Sequence, residues 1–546
     1  VKIVRHPPWP LLLACLLLMG CGGGDAPDGG GPSAPADAPS RGGTAVIAFP
    51  AEPDVLNPLL YASAYSGMVM VLLNDSLVEM GEDFLYAPQI AASVTRDPDG
   101  LGLTAALRPW RWSDGSPLTA ADVAASFQLI RDPAVASPRY GAVARTIVSV
   151  TAVAPDTVRY RFAEARADQD AALGHVLLPA RLTADLDPAA VRSWPLNESP
   201  PSCGMFRLER WEHDRNLILA RNEQYAGQAP LLDRLLLRII PDETARFLEL
   251  ETGGVDMMTD IPPHLAKRLE GDPRFAVART RGRLIGMVYW NHEDPLFQDV
   301  RVRKALSLAM DRQAIVDGLL GGYGQAAAGP IPPVVWAHDP AVAPDPLDPE
   351  RARALLDAAG WRDRDGDGVR ERGGRPLRFE IITRKGDPVR ENAVVQLREN
   401  LAAVGVDARP LVLEFATAID RVQAGDFAAY LGVFSARLSV DPSGLLGSDG
   451  FDRWNYGRYG DARADSLMRL GVALEDREAA RPVWSAFQQL MAEEQPMAFL
   501  YHPDMLVAYD RRLRDVRPHV LSPFNNVREW WIAPADRRYP AAETSR

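Results

Sequence analysis

Few residues in this chain are spaced to do chemistry, and those that are point to binding. Asp363, Asp365, Asp367 and Glu371 put carboxylates at positions 1, 3, 5 and 9 of a calcium-loop pattern, with Gly368 at position 6. Calcium needs hard oxygen ligands fanned around such a turn, but the twelfth position, which calls for a bidentate Glu, is Gly374. The same Asp/Gly run makes an ordinary turn before the strand-like RPLRFEIIT, so a calcium ion here is structural at most, and no other cofactor is expected. The three cysteines, Cys15, Cys21 and Cys203, form no CxxC or Cys/His cluster, and the eight histidines stand singly without an HExxH pair. There is no GxSxG elbow, SxxK, Walker loop or strand-borne GxGxxG; Gly322-Tyr323-Gly324 follows a helical stretch, the wrong context for a dinucleotide. A hydrolase built on two carboxylates leaves no spacing signature. No residue is assigned as catalytic, and the chain is not expected to be an enzyme.

Composition bounds the rest. The 546 residues, 47% apolar and 24% charged, are too many for one ordinary domain and suffice for extensive cores. A formal net charge of −12 argues against a protein that embraces nucleic acid. A mean hydropathy of −0.14 excludes a polytopic membrane protein. The amino-terminal segment has its own logic. Lys2, Arg5 and His6 precede a short apolar run that ends in Leu18-Met19-Gly20-Cys21. A charged region followed by so short an apolar stretch is a secretory signal rather than a permanent span. Its end resembles the bacterial lipobox, in which cleavage precedes the cysteine and Cys21 takes the lipid. Residues 1–20 are thus read as a lipoprotein signal and 21–43, rich in Gly, Pro, Ala and Asp, as a lipidated Cys with a disordered tether. Cys203 alone is then left as a thiol, with no internal disulfide.

The body reads as mixed α/β. Runs such as TAVIAF, TVRYRF, RLLLRII, GMVYW and LRFEIIT alternate with helical patterns of ten to twenty residues. Several helices announce their ends: Thr119 with Asp122 three residues on, Asp242 opening a helix that stops at Gly253, and Asp348-Pro349 opening another that stops at Gly360. Nothing inside the body is like the 22–43 tether, so its parts are joined by strand crossings.

The segment Trp110 to Val123, WRWSDGSPLTAADV, resembles the W-x-DG-x-P-[VL]-TA-x-DV signature of family 5 solute-binding proteins of ABC transporters. Five further stretches resemble that family in the right order. They are Tyr86–Ala91, Ser202–Phe206 leading to Tyr225 and Met257, Phe297–Leu306, Ala309–Arg312, and Asn455–Tyr459 with Asp465 and Leu467. On the residues alone these motifs read as fold-builders: a turn under aromatic rings, a capped helix, and Arg303 as a buried, hydrogen-bonded arginine.

The resemblance implies a two-lobed periplasmic-binding-protein-like α/β fold that closes over a ligand without altering it. It implies lobe I from 44–80, 200–288 and 505–546, an extra subdomain at 81–199, and lobe II at 289–504. The crossings are expected near Tyr289–Asn291 and Pro496–Tyr509. It also implies where the cargo is read. Peptide binders of the family carry an Asp in W-x-x-D-x-x-D-P for the ligand α-ammonium. The corresponding stretch here runs from Phe434 through Arg437 to Asp441-Pro442, with Arg437 where the acid stands and Asp441 as the surviving acid. Arg437 and Arg384 suit a carboxylate by bidentate pairing, and Tyr65, Trp454 and Asn455 are further contacts by position in the family. The expected cargo is a peptide or peptide-like solute, with an oligosaccharide or metal chelate as the alternative and sensing as an alternative to transport. Implied partners are a permease and ATPase complex and the membrane, through the lipid, for a monomer on the outer face of the cytoplasmic membrane or in the periplasm.

Overall fold

The computed structural model describes residues 38–539 except 166–168, 452 and 475, so the expected signal, Cys21 and the tether up to residue 37 lie outside the described residues. The body begins with TAVIAF as strand β1 (Thr44–Phe49). Ala45, Ile47 and Phe49 enter one core while Val46 and Ala48 enter another, the period-two split of a strand covered on both faces. Helix α1 (Ala64–Leu73) follows, capped by the Ser63 hydroxyl. A subdomain is then inserted: β2 (Ala91–Arg96), β3 (Gly102–Leu107), α2 (Ala120–Arg131), β4 (Ile147–Ala154) and β5 (Thr157–Phe162). Its four strands form an antiparallel sheet in the order β2-β3-β5-β4.

The chain returns through β6 (Phe206–Glu212), β7 (Asn216–Arg221), β8 (Arg234–Ile239), α3 (Glu243–Thr252), β9 (Met257–Met258) and β10 (Phe275–Thr280). It then crosses to β11 (Leu284–Trp290), α4 (Val300–Ala309), β12 (Gly324–Ala326), α5 (Pro349–Ala358), β13 (Arg378–Arg384), α6 (Pro388–Ala402) and β14 (Asp407–Leu413). After β15 (Ala429–Ser435), α7 (Arg477–Glu494) and β16 (Met497–Pro503) it crosses back to β17 (Met505–Asp510). Lobe I is built on a seven-stranded sheet ordered β6-β7-β8-β1-β9-β17-β10, and lobe II on a six-stranded sheet ordered β12-β16-β11-β15-β13-β14.

The first crossing lies at 281–283, earlier than expected from the sequence. Tyr289 and Trp290 instead end β11, and Asn291 donates to the Phe427 carbonyl at 2.8 Å, inside lobe II. The reason is the same alternation as in β1: Ile285, Met287 and Tyr289 enter one core of lobe II and Val288 and Trp290 the other, so the whole strand belongs there. The lobe boundary drawn at 288/289 therefore moves to the 281–283 segment. The return passage is at Asp504, inside the expected 496–509 interval. The two passages touch: a Cβ on Gly282 would stand 2.3 Å from the Pro503 carbonyl oxygen, a close approach that only glycine allows.

The family-like motifs do fold-building work. The Asp122 carboxylate accepts the Thr119 N–H at 2.7 Å and the Ala180 N–H at 2.6 Å, tying the start of α2 to a second segment. Trp110 donates its indole N–H to the Cys203 carbonyl at 2.8 Å, and Asp114 folds its turn by accepting from Ser116. Cys203 is a buried free thiol whose ionisation burial suppresses. Asp256 is fully buried, accepts the Val46 N–H at 2.8 Å and pairs with Arg512. Arg303 is buried and donates to the carbonyls of Phe297, Gln298, Glu494 and Gln495, which ties the start of α4 to the end of α7. Asp122, Trp110, Asp256 and Arg303 thus satisfy backbone groups that burial would otherwise leave unpaired, while Asp114 shapes an exposed turn.

Candidate ligand-binding cleft

Ligands of open α/β sheets gather beyond the carboxyl ends of parallel strands. In lobe I the parallel strands are β8, β1 and β9; in lobe II they are β15, β13 and β14. Past Met258 the chain runs alongside the start of β17 (Met258 opposite Ala508), toward the Asp504 passage. The end of β15 pairs with the start of β11 (Ser435 opposite Leu284), beside the 281–283 passage. The carboxyl edges of both sheets therefore border the crossings, and residues just beyond them face the cleft between the lobes.

Five of the seven expected contacts sit at these edges with side chains at least partly open. Tyr65, at the start of α1, is half-buried and packs on Phe49 with ring centroids 5.9 Å apart. Phe434 meets Trp454 edge-on at 5.6 Å, and the exposed Arg437 guanidinium lies 5.9 Å from the Trp454 ring, which is 40% exposed. These three form a platform able to stack a flat or apolar group and to pair with an anion. Arg437 has no carboxylate partner among the described residues. Arg384 ends β13 half-buried, 3.6 Å from Asp387 and over the Phe415 ring at 5.9 Å, so part of its charge is already answered.

The other two expected contacts have structural duties. Asn455 is fully buried: its amide donates to the carbonyls of Gly447 (2.9 Å) and Tyr459 (2.7 Å) and its oxygen accepts the Tyr459 N–H. It pins the 447–459 loop and presents nothing to a ligand, because all three of its hydrogen bonds close within that loop. Asp441 accepts from the Ser443 backbone N–H at 3.1 Å and from the Ser443 hydroxyl at 2.6 Å, so it shapes the Asp-Pro turn.

Three charged residues at the cleft carry no motif. Arg283 is exposed on the crossing itself; its pKa is lowered by the desolvation of its surroundings and by the like charge of Arg139. Arg139, also exposed, lies over the Tyr61 ring at 5.0 Å. Neither guanidinium has a carboxylate partner among the described residues. Asp260 follows β9, exposed beside the buried Thr259, and makes no hydrogen bond or ion pair with another described side chain. Desolvation raises its pKa to about 6, with Arg246 lowering it and Glu243 raising it. The one sequence signal is position: an acid two residues past an apolar pair, VDMMTD, at a strand's end.

Two cavities bridge the lobes at the flanks. One of about 720 Å³ lies between Glu82–Phe84 on the lobe I side and Gln325 and Trp336 of lobe II, reaching Arg281. Another of about 640 Å³ lies between Glu164 of the subdomain and Asp441, Ser443 and Asp465 of lobe II. Arg477 of α7 also spans the lobes, donating to the carbonyls of Asp83 (2.8 Å) and Phe84.

The Asp-rich loop brings Asp363, Asp365 and Glu371 together, with one oxygen of each within 4.8 Å of the others, but does not bring Asp367 into that group. Both Asp363 oxygens already accept amides, from Gly366 (2.7 Å) and Gly368 (3.0 Å), and Asp367 accepts from Val369 (2.7 Å). With Gly374 at the twelfth position, the donor set does not fit a calcium loop, and the turn is held by its own amides.

Comparison with known proteins places this geometry. Residues 86–456 match the model of the family described as "Bacterial extracellular solute-binding proteins, family 5 Middle". The oligopeptide-binding protein AppA of Bacillus subtilis is 25% identical over 532 residues, covering 96% of this chain and 97% of that one. Its structure with a nonapeptide superposes with a TM-score of 0.76 over 91% of this chain and all of that one. NikA of Brucella suis, solved with Fe(III)-EDTA, shares the fold at a TM-score of 0.81 and 19% identity, over 90% of this chain and 99% of that one. Among the described residues no helix is long and apolar enough to cross a membrane.

Proposed function

Because the chain belongs to the bacterial extracellular solute-binding proteins of family 5, we propose that it captures peptides or peptide-like solutes between its lobes for an ABC importer. The observation that carries this reading is the facing of unpaired charge and open aromatic surface across two touching crossings. Arg139 and Arg283 stand on the lobe I side and at the hinge, and Arg437 and Trp454 on lobe II. Guanidiniums without acid partners suit a ligand carboxylate, and the platform suits a ligand backbone or side chain. AppA, which aligns over nearly the whole chain, is named for binding oligopeptides.

Transport then requires no chemistry on the cargo. Ligand contacts from both lobes favour the closed form, and that form docks on a permease whose ATPase drives release. The lipobox-like Cys21 supplies the anchor and residues 22–43 the reach in this reading, holding the body outside the cytoplasmic membrane. Native mass spectrometry of the protein as purified tests it: a ladder of peptide masses is expected on the folded protein. A single sugar or a metal chelate in place of the ladder overturns the peptide assignment.

A further inference from the structure

On lobe II, Arg437 occupies the position at which an acid was expected, and Asp441 has one carboxylate oxygen bound by the Ser443 amide and hydroxyl. Across the cleft an acid stands without any such bond. Asp260 stands just past the carboxyl end of β9, a strand parallel to β1, on the edge that borders the Asp504 passage. It is exposed, and no described side chain bonds to it.

We infer that Asp260 of lobe I is the counter-charge for a primary ammonium on the ligand, so that the cargo's cationic end is read by lobe I rather than lobe II. This rests on the peptide reading above.

The surroundings fit that role. Of the charged groups near enough to act on Asp260, Arg246 and Glu243 oppose each other. Arg246 is buried and its guanidinium is turned to the carbonyls of Ile240 (2.9 Å) and Pro241 (2.7 Å), while Glu243 lies 3.9 Å from His264. Tyr65, whose phenol is held protonated by burial and by Asp260, is near enough to feel the carboxylate. An exposed carboxylate that no protein group pairs is free to meet an incoming cation at the cleft edge. Arg139 and Arg283 are then left for the carboxylate end of the same ligand.

The test uses peptides of two to nine residues lacking Arg and Lys, each supplied with a free and with an acetylated amino terminus, mixed in equal amounts. Native mass spectrometry reads the ratio of the two forms bound. The wild-type protein is expected to take the free form over the acetylated one by roughly tenfold or more, the scale of a hydrogen bond to a charged group. Asp260→Asn is expected to bring the ratio near unity, Asp260→Glu to restore part of it, and both variants to melt with the wild type. The wild-type preference is also expected to shrink from pH 7 to pH 5, as the carboxyl takes up a proton. Equal uptake of both forms by the wild type overturns the inference and leaves the peptide reading standing. Retained preference in Asp260→Asn also overturns it, as does loss of both forms alike in that variant, which would mark a packing role. Failure of the wild type to take either form sinks the peptide reading and this inference together.

Discussion

Replacing Gly282 by Ala puts one methyl group between the two passages that join the lobes. The added Cβ would stand 2.3 Å from the Pro503 carbonyl oxygen, and 3.4 Å from the Met505 nitrogen and the Pro503 carbonyl carbon. An ordinary carbon-to-oxygen contact is about 3.3 Å, so the passages must part by about 1 Å. Neither can yield alone. The Asp504 N–H bonds the Tyr323 carbonyl at 3.2 Å, His502 bonds the Leu284 carbonyl at 3.2 Å, and Asp504 also pairs with Arg279. Overpacking of this size costs about 1–3 kcal/mol. Whatever part of that cost differs between open and closed lobes shifts their ratio, about tenfold for each 1.4 kcal/mol. The expected result is a lower melting temperature, together with a changed radius of gyration by small-angle scattering and altered peptide affinity. Gly318→Ala is the matched control: it lies in the helical turn Ile315–Leu319 with nothing within 4 Å of a built Cβ. There alanine is expected to be neutral or stabilising, by up to about 1 kcal/mol. If Gly282→Ala melts, scatters and binds like the wild type, the contact between the passages is not tight and the hinge argument fails.

Arg303→Met strips donors from four carbonyls, those of Phe297 and Gln495 in buried bonds and those of Gln298 and Glu494 in part-buried ones, so a loss of about 3 kcal/mol is expected in urea unfolding; a loss below about 1 kcal/mol would show that the carbonyls find other partners. EDTA and added calcium are each expected to leave the melting temperature unchanged, because the Asp363 loop is closed by its own amides; a calcium-dependent rise would reinstate the metal. Burial lowers the pKa of His175, His292 and His502 to about 4, from an unfolded value of 6.5. Their contribution to stability is therefore complete above pH 6.5 and lost as the pH falls toward 4. Asp75, raised by burial to about 7, works the other way, since its cost is relieved as it protonates below pH 7. Asp75→Asn removes that relief, so its melting temperature should fall more steeply than the wild type's between pH 7 and 4.5. Parallel slopes in calorimetry would refute the assignment.

What was legible in the sequence is what local spacing determines. The Thr119/Asp122 pair, the Asp242-to-Gly253 helix and the Asp348-Pro349 start each depend on neighbours within one or two turns, and each forms where it was read. Arg303 was legible because an arginine among Ala305, Leu306 and Ala309 on one helix has to satisfy itself on backbone carbonyls. The misplacements share the opposite cause. Asn455 was assigned by position in the family, yet its burial depends on how a loop of a dozen residues closes over it. The first crossing was expected near Tyr289–Asn291 from the resemblance alone. The actual passage is marked by a single glycine whose meaning depends on Pro503, more than two hundred residues away in sequence.

Asp260 shows the same limit in its functional form. No spacing motif surrounds it, and its standing as a candidate depends on two non-local facts: β9 lies beside β1, and the carboxyl edge borders a crossing. The net charge of −12 could not have revealed it either. At physiological ionic strength exposed charges are screened beyond about 8 Å, so the body's overall acidity barely reaches a ligand inside the cleft. What the ligand meets is the local arrangement: a lone acid on lobe I, unpaired guanidiniums at the hinge and on both walls, and an aromatic platform on lobe II. A ligand shifts the open–closed equilibrium only through contacts that differ between the two states. Charges on lobe I alone can orient a zwitterion without closing anything. On the proposed reading the closing contacts come from lobe II, where Phe434, Arg437, Trp454 and Arg384 are at least partly open at the cleft edge.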